Sequence, residues 1–312
     1  TTEVEPGLAE SWEVSEDGTV YTFKLRPGVK WHSNDKFTPT RDLNADDVVF
    51  SFERQADANH PWNQYISGLS YEYYNSMDMP KLVKSVEKVD DLTVKVTLNQ
   101  PEAPFLANVA MPFMSILSKE YADALEAAGT KEDLNNAPIG TGPFVFERYA
   151  KDAQVRFAGN PHYWGGKPAL DRLLLAITPD PNTRIQQLKA GACQVAVFPR
   201  PSDVPALREN KDLQVLELDS LLTAYVAINT RHKPLDDVRV RQAINLAFDR
   251  QAYLRAQYGE GNATLAAAPY PATLLGYDER LQPWPKDLER ARQLLAEAGH
   301  ADGFALSIWT RP

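Results

Sequence analysis

The chain has one cysteine, Cys193, in 312 residues. It cannot close a disulfide within itself, and a lone cysteine ordinarily packs as a small apolar residue. No Cys-x-x-Cys or His-x-x-x-His spacing occurs. His32, His60, His162, His232 and His300 stand singly, so no local metal-ligand motif exists. A Gly-x-Ser-x-Gly nucleophile elbow is missing, as is a Gly-x-Gly-x-x-Gly fingerprint. No run approaches the ~18–20 apolar residues of a membrane helix. Positive charge is in deficit, with 33 Lys and Arg against 42 Asp and Glu and a net charge of −9. That balance speaks against a nucleic-acid partner, but it separates enzymes from binding proteins poorly. There are no internal repeats and no low-complexity stretches.

What is present is enough for about two domains of ~150 residues each. With 43% apolar residues, a packed core is expected. The most informative stretch runs from Leu8 to Glu53. Glu16-Asp17-Gly18 is a turn signal, and Tyr21, Phe23 and Leu25 then alternate with Val20, Thr22 and Lys24, the period of a half-buried strand. Arg26-Pro27-Gly28 turns the chain again. Asn44 caps a helix whose first turn holds Asp46 and Asp47, favourable at the positive end of the helix dipole. Val94, Val96 and Leu98 predict another strand, and Ser118 a helix with Tyr121, Leu125 and Ala128 on one face, stopped by Gly129.

Two glycines and two prolines between Pro138 and Phe144 predict a rigid turn. Beyond it, Leu173 to Ile177 is a nearly continuous apolar run, as a strand buried on both faces requires. Thr183 caps a short helix with Ile185 and Leu188 inside, and Val195 to Phe198 reads as a second buried strand. Strand, helix, strand in this order suggests a parallel crossover. Tyr225 to Asn229 reads as a further strand. Asp236 or Asp237 caps a helix with Val240, Ile244, Ala247 and Phe248 inward. Asp287 caps another, with Ala291, Leu294, Leu295 and Ala298 inward and Gly299 as its stop. The paired carboxylates Asp46-Asp47, Asp90-Asp91 and Asp236-Asp237 all sit at turns or helix starts, where they satisfy backbone N–H groups and need no catalytic reading. Trp12, Trp31, Trp62, Trp164, Trp284 and Trp309 could line a cleft or build cores.

The ordered opening segment resembles that of the bacterial extracellular solute-binding proteins of peptide, nickel and oligopeptide ABC importers. So do Gly140 to Phe144 (GTGPF), Tyr163-Trp164-Gly165 with Ile177-Thr178-Pro179-Asp180, and Lys233 to Ile244. Ser70 to Tyr73, Pro101 to Leu106 and Ser118 to Ala124 are most similar to the dipeptide-binding branch. The resemblance covers essentially the whole chain. It implies an α/β, two-lobed periplasmic-binding-protein fold of type II with an extra subdomain, here as a fragment. Residues 1–140 would form the extra α+β subdomain of lobe 1, 141–222 its core subdomain, and 223–312 the first part of lobe 2. The chain begins at Thr1-Thr2 and ends at Trp309-Thr310-Arg311-Pro312, and both ends read as fragment ends.

The resemblance further implies a monomeric periplasmic protein that binds a dipeptide or short peptide and hands it to an ABC permease in the inner membrane. It would use no cofactor and no metal and perform no chemistry. The alternatives are a haem, nickel or other peptide-like ligand carrier of the same family, and, from another class, a secreted hydrolase. In dipeptide-binding relatives an aspartate pairs with the ligand ammonium and an arginine with its carboxylate. Charge-assisted pairs suit the two ends of a zwitterion. The aspartate lies beyond Pro312. The arginine stands in an Arg-Pro-Tyr context, which makes Arg311, or a position a few residues later, the candidate. Relatives also pair the cysteine of a similar CQV segment with one near the mature N-terminus, which would make Cys193 half of a disulfide whose partner is missing.

Overall fold

The computed structural model describes residues 3–66, 69–218, 220–259, 261–274 and 276–309. Helices of nine residues or more are labelled. Strands β1 (Ala9–Val14) and β2 (Val20–Leu25) form a hairpin. Its turn is set by Asp17, whose carboxylate accepts from Ser15 Oγ at 2.6 Å and the Thr19 amide at 3.1 Å, and by Gly18 at φ 70°. Strands β3 (Val83–Asp90) and β4 (Thr93–Leu98) complete an antiparallel sheet in the order β1-β2-β4-β3. The alternation predicted for β2 and β4 is realised: Tyr21 lies opposite Val96 and Phe23 opposite Val94, with Val94, Val96 and Leu98 buried.

Helix α1 (Ala45–Ala56) lies on this sheet. Asn44 caps it and Asp47 closes the capping box from the third position. Val48, Phe50 and Phe52 enter the core beside Trp31, Trp62, Tyr74, Phe105 and Tyr121. Helix α2 (Lys119–Ala128) starts at Ser118, whose hydroxyl accepts from the Tyr121 amide at 3.2 Å, and stops at Gly129, φ 71°. Tyr121, Ala122 and Leu125 face inward, whereas Ala128, expected inward, is exposed.

The Pro138–Phe144 turn opens strand β5 (Phe144–Ala150), which pairs with β6 (Gln154–Gly159) and β6 with β7 (Arg172–Ala176). This sheet is antiparallel throughout and β7 is its edge, so the run Leu173–Ile177 is not a strand buried on both faces. Leu174 and Leu175 are about half exposed, at 51% and 49%. An apolar run specifies that a strand wants cover, not which strand supplies it. The expected parallel crossover is absent among the described residues, because Val195–Phe198 forms no strand.

By its internal contacts the chain divides into two units, Thr1–Ile177 and Thr178–Pro312. The boundary falls within the stretch 141–222. Among the described residues, the second unit contains helices and extended chain but no strand. Helix α3 (Pro181–Lys189) is capped by Asp180, not Thr183. The Asp180 carboxylate accepts from both the amide and the hydroxyl of Thr183, at 2.7 and 2.8 Å. Pro181 then takes the first helical position, where a missing N–H costs nothing.

Helix α4 (Val238–Ala247) is capped by Asp237, α5 (Arg250–Tyr258) by Asp249, and α6 (Leu288–Glu297) by Asp287 with Gly299 after it. On α4 the buried face is Val240, Ala243 and Leu246, because α6 packs there through Ala291 and Leu294. Ala247 and Phe248, expected inward, are exposed.

Candidate functional site

At least one member of each carboxylate pair flagged in the sequence is engaged in a cap or ion pair. Asp46 binds Lys88 at 2.8 Å, and that hydrogen bond holds its carboxyl below the usual range. Asp90 is lowered chiefly by the Leu92 amide, 2.8 Å from its carboxylate. Asp237 is lowered to about 2, chiefly by the Arg239 guanidinium and then by the Arg239 amide. Asp47 is enclosed and held by Arg41. The lowered carboxyls of Asp46, Asp90 and Asp237 suit capping and ion pairing, not proton transfer.

The histidines are likewise structural where they are buried. His60 Nδ1 accepts from the Trp62 amide at 3.1 Å, and burial pushes its pKa down. Among the described residues no three His, Cys, Asp or Glu side chains gather as a metal site.

Trp31 and Trp62 belong to the core of the first unit, and Trp164 packs against it beneath Arg26, whose guanidinium lies 4.5 Å from the ring centre. Trp284 and Trp309 remain open at 45% and 93% exposure. Trp284 walls an open hollow of about 260 Å³ with Phe248, Leu265 and Pro283. At its rim Asp249 and Lys286 pair at 2.7 Å, and Arg250 donates to the Trp284 carbonyl at 3.2 Å. A second open hollow, of about 470 Å³, is lined by Lys233, Pro234, Asp236, Asp237 and His300.

The most unusual surface lies in the second unit. Val195, Val197 and Phe198, then Leu216, Leu218, Leu221, Leu222, Tyr225 and Val226, are all more than half exposed, Phe198 at 86% and Leu218 at 96%. These include the segments predicted as strands, 195–198 and 225–229. Among the described residues, no backbone–backbone hydrogen bond is made along 214–228. Apolar and without backbone pairing, such a segment can accept another strand edge to edge.

The extent of bare surface can be gauged. The chain exposes 21,164 Å², whereas a compact protein of 34.9 kDa would expose about 13,000 Å² and two separate domains sharing that mass about 16,000 Å².

Cys193 is partly exposed, with its sulfur 3.9 Å from Gln187 Oε1. Arg311, the candidate for a ligand carboxylate, lies outside the described residues. The Asn262 amide, part of an Asn-x-Thr sequence, donates to the Tyr258 carbonyl at 2.9 Å.

The model of the bacterial extracellular solute-binding proteins, family 5, matches residues 3–311, and the chain belongs to this family. It has the α/β periplasmic-binding-protein fold of that family. It is 60% identical over its whole length to di/tripeptide-binding protein 4 of Pseudomonas aeruginosa, strain UCBPP-PA14, of which it covers 58%. It is 48% identical, again over its whole length, to heme-binding protein A of Haemophilus influenzae, covering 57% of it. Among solved structures it is similar to the ABC transporter-associated periplasmic binding protein DppA of Helicobacter pylori in complex with the peptide STSA. The TM-score is 0.87 at 41% identity, over 97% of this chain and 59% of that one. The chain therefore spans somewhat under three fifths of the relatives it matches.

Proposed function

We propose that the chain is part of the substrate-binding component of an ABC importer, one that takes up dipeptides or other short peptides in the periplasm and delivers them to an inner-membrane permease. The observation that carries this reading is the 60% identity, without a gap in coverage, to a di/tripeptide-binding protein. The protein works as a monomer and performs no chemistry on its ligand. In the whole protein, residues 1–140 and 141–222 belong to the first lobe and the second lobe starts near residue 223. The unpaired apolar segments around 195–198 and 214–228 are covered by chain that relatives carry beyond the matched span. Arg311, or an arginine a few positions later, pairs with the ligand carboxylate.

Thermal shifts of the full-length protein, stripped of ligand by unfolding and refolding, test the reading. A ligand at ~1,000 times its Kd adds ~4 kcal/mol, several degrees for a protein of this size. Dipeptides are expected to give that shift, and Arg311→Ala to weaken it. Unchanged dipeptide affinity in the variant would remove Arg311 from the site. A second reading rests on the 48% identity to heme-binding protein A. A shift with haem or nickel and none with peptides would keep the fold and replace the ligand. Recovery of cleaved peptide after incubation would favour a hydrolase.

Cys193 is half of a disulfide in the whole protein. Thiol titration of full-length protein under denaturing, non-reducing conditions is expected to find it unreactive, and a freely reacting Cys193 would sink that assignment.

A further inference from the structure

His32 makes three hydrogen bonds to one short stretch of backbone 108 to 110 residues away. Its amide donates to the Gly140 carbonyl at 2.7 Å. Its Nδ1 lies 3.3 Å from the Gly140 amide and its Nε2 2.9 Å from the Gly142 carbonyl. A backbone amide can only donate and a carbonyl can only accept. The ring therefore needs a bare Nδ1 and a proton on Nε2, which only one neutral tautomer provides. Gly142 O also accepts from Asn160 Nδ2 at 3.0 Å, and the Asn160 amide donates to Pro143 O at 2.8 Å. The turn that opens β5 is thus gripped by His32 from the side of the α+β core and by Asn160 from the side of its own sheet.

We propose that His32 is a pH-operated clamp between the α+β core and the β5–β6–β7 sheet: a proton on Nδ1 meets the Gly140 N–H head on, breaks that bond and loosens the turn. No nearby charge is placed to soften this collision. On its own segment Lys30 is tied to Asp42 at 2.6 Å and Lys36 to Asp133 at 2.7 Å, and Asp35 is exposed to solvent. Arg26 stacks on Trp164. The turn from Pro138 to Phe144 has no ionisable side chain, and the 160–164 turn offers only His162 and Tyr163. Burial accordingly pushes the His32 pKa down, against a smaller opposing effect of the bond to Gly142.

The direction of the pH effect follows. With a folded pKa below the unfolded ~6.5, the clamp's contribution is complete above pH ~6.5. It declines as pH falls from there through the depressed folded value, and below both it is gone. Hydrogen–deuterium exchange with mass spectrometry on the full-length protein reads this at the 138–144 segment. Protection, normalised for intrinsic exchange, should fall about tenfold for each unit by which the folded pKa lies below ~6.5. His32→Gln should exchange faster at pH 7.5 and lack this fall, whereas His60→Gln, lacking a half-buried histidine elsewhere in the first unit, should retain it. Exchange at the imidazole carbon of wild-type His32 gives its pKa directly, even if the variant fails to fold. A His32 that titrates at or above 6.5, or an unchanged pH response in His32→Gln, would overturn the clamp.

Discussion

Asp47→Ala is expected to lower the stability of the first unit by about 3 kcal/mol or more, because two backbone amides lose their acceptor at ~1–3 kcal/mol each and the partly exposed Arg41 loses its anion. Asp47 is fully buried, and its two carboxylate oxygens accept four hydrogen bonds. Arg41 grips it from both guanidinium ends, at 2.7 and 2.8 Å. The other two donors are the backbone amides of Asn44, at 3.0 Å, and Lys119, at 2.8 Å. Asn44 caps α1 and Lys119 opens α2, so one side chain satisfies orphan amides at two helix starts. Alanine would orphan both amides and leave the guanidinium without its anion.

Asp47→Asn should recover little of this, because an amide nitrogen would face the Arg41 donors. The neighbour Asp46 makes the control. Its bond to Lys88 is half in solvent, so Asp46→Ala should cost no more than about 1 kcal/mol. Urea unfolding followed by the fluorescence of the buried Trp31 and Trp62 gives both numbers. An Asp47→Ala variant within 1 kcal/mol of the parent would show that the network is dispensable.

That network also marks how far the sequence could be read. The Asn44 cap, the Asp46-Asp47 first turn and the alternations of β2 and β4 depend on neighbours a few residues away, and local pattern carries them. The reach of Asp47 to Lys119 spans 72 positions, and that of His32 to Gly140 spans 108. Neither leaves a periodic trace.

The misreadings have the same origin. Leu173–Ile177 and Val195–Phe198 are apolar enough for buried strands, but burial of a strand is decided by what lies beside it. In this chain β7 has one neighbour and 195–198 none among the described residues. On α4 the helix and its buried Val240 were legible but the rest of its buried face was not, because α6, almost fifty residues on, packs on Ala243 and Leu246 and leaves Ala247 and Phe248 exposed. For the ligand site, the sequence pointed to Arg311 and to residues beyond Pro312, so the binding reading rests on kinship more than on geometry.

Unequal cores lead to the second large effect: in the isolated 312-residue chain the second unit should open far more readily than the first. The first unit's main cluster holds 22 buried apolar residues, among them Tyr74, Phe105, Tyr121 and Trp62. The cluster in the second unit is Ala243, Leu246, Ala291 and Leu294, with Leu295 at its margin. Two of those four are alanines, and burial contributes roughly 25 cal/mol per Å² of apolar surface. Against that stands the cost of ordering three helices of nine residues or more beyond Val238. Capping by Asp237, Asp249 and Asp287 and the Arg239 hydrogen bond to the Glu297 carbonyl at 2.7 Å add only local support.

Local opening free energies run from near zero up to the global value of ~5–15 kcal/mol. Amides of α4 and α6 should therefore exchange at least about a thousandfold faster than those of β2, β4 and α1. Unfolding in urea should show two steps, with Trp284 responding before Trp31 and Trp62. If, as proposed, further chain of the full-length protein covers the apolar segments of the second unit, the two steps should draw together there. A single coincident transition in the 312-residue chain, with equal protection in α1 and α4, would mean that the four-residue cluster stabilises its unit as well as the large core does.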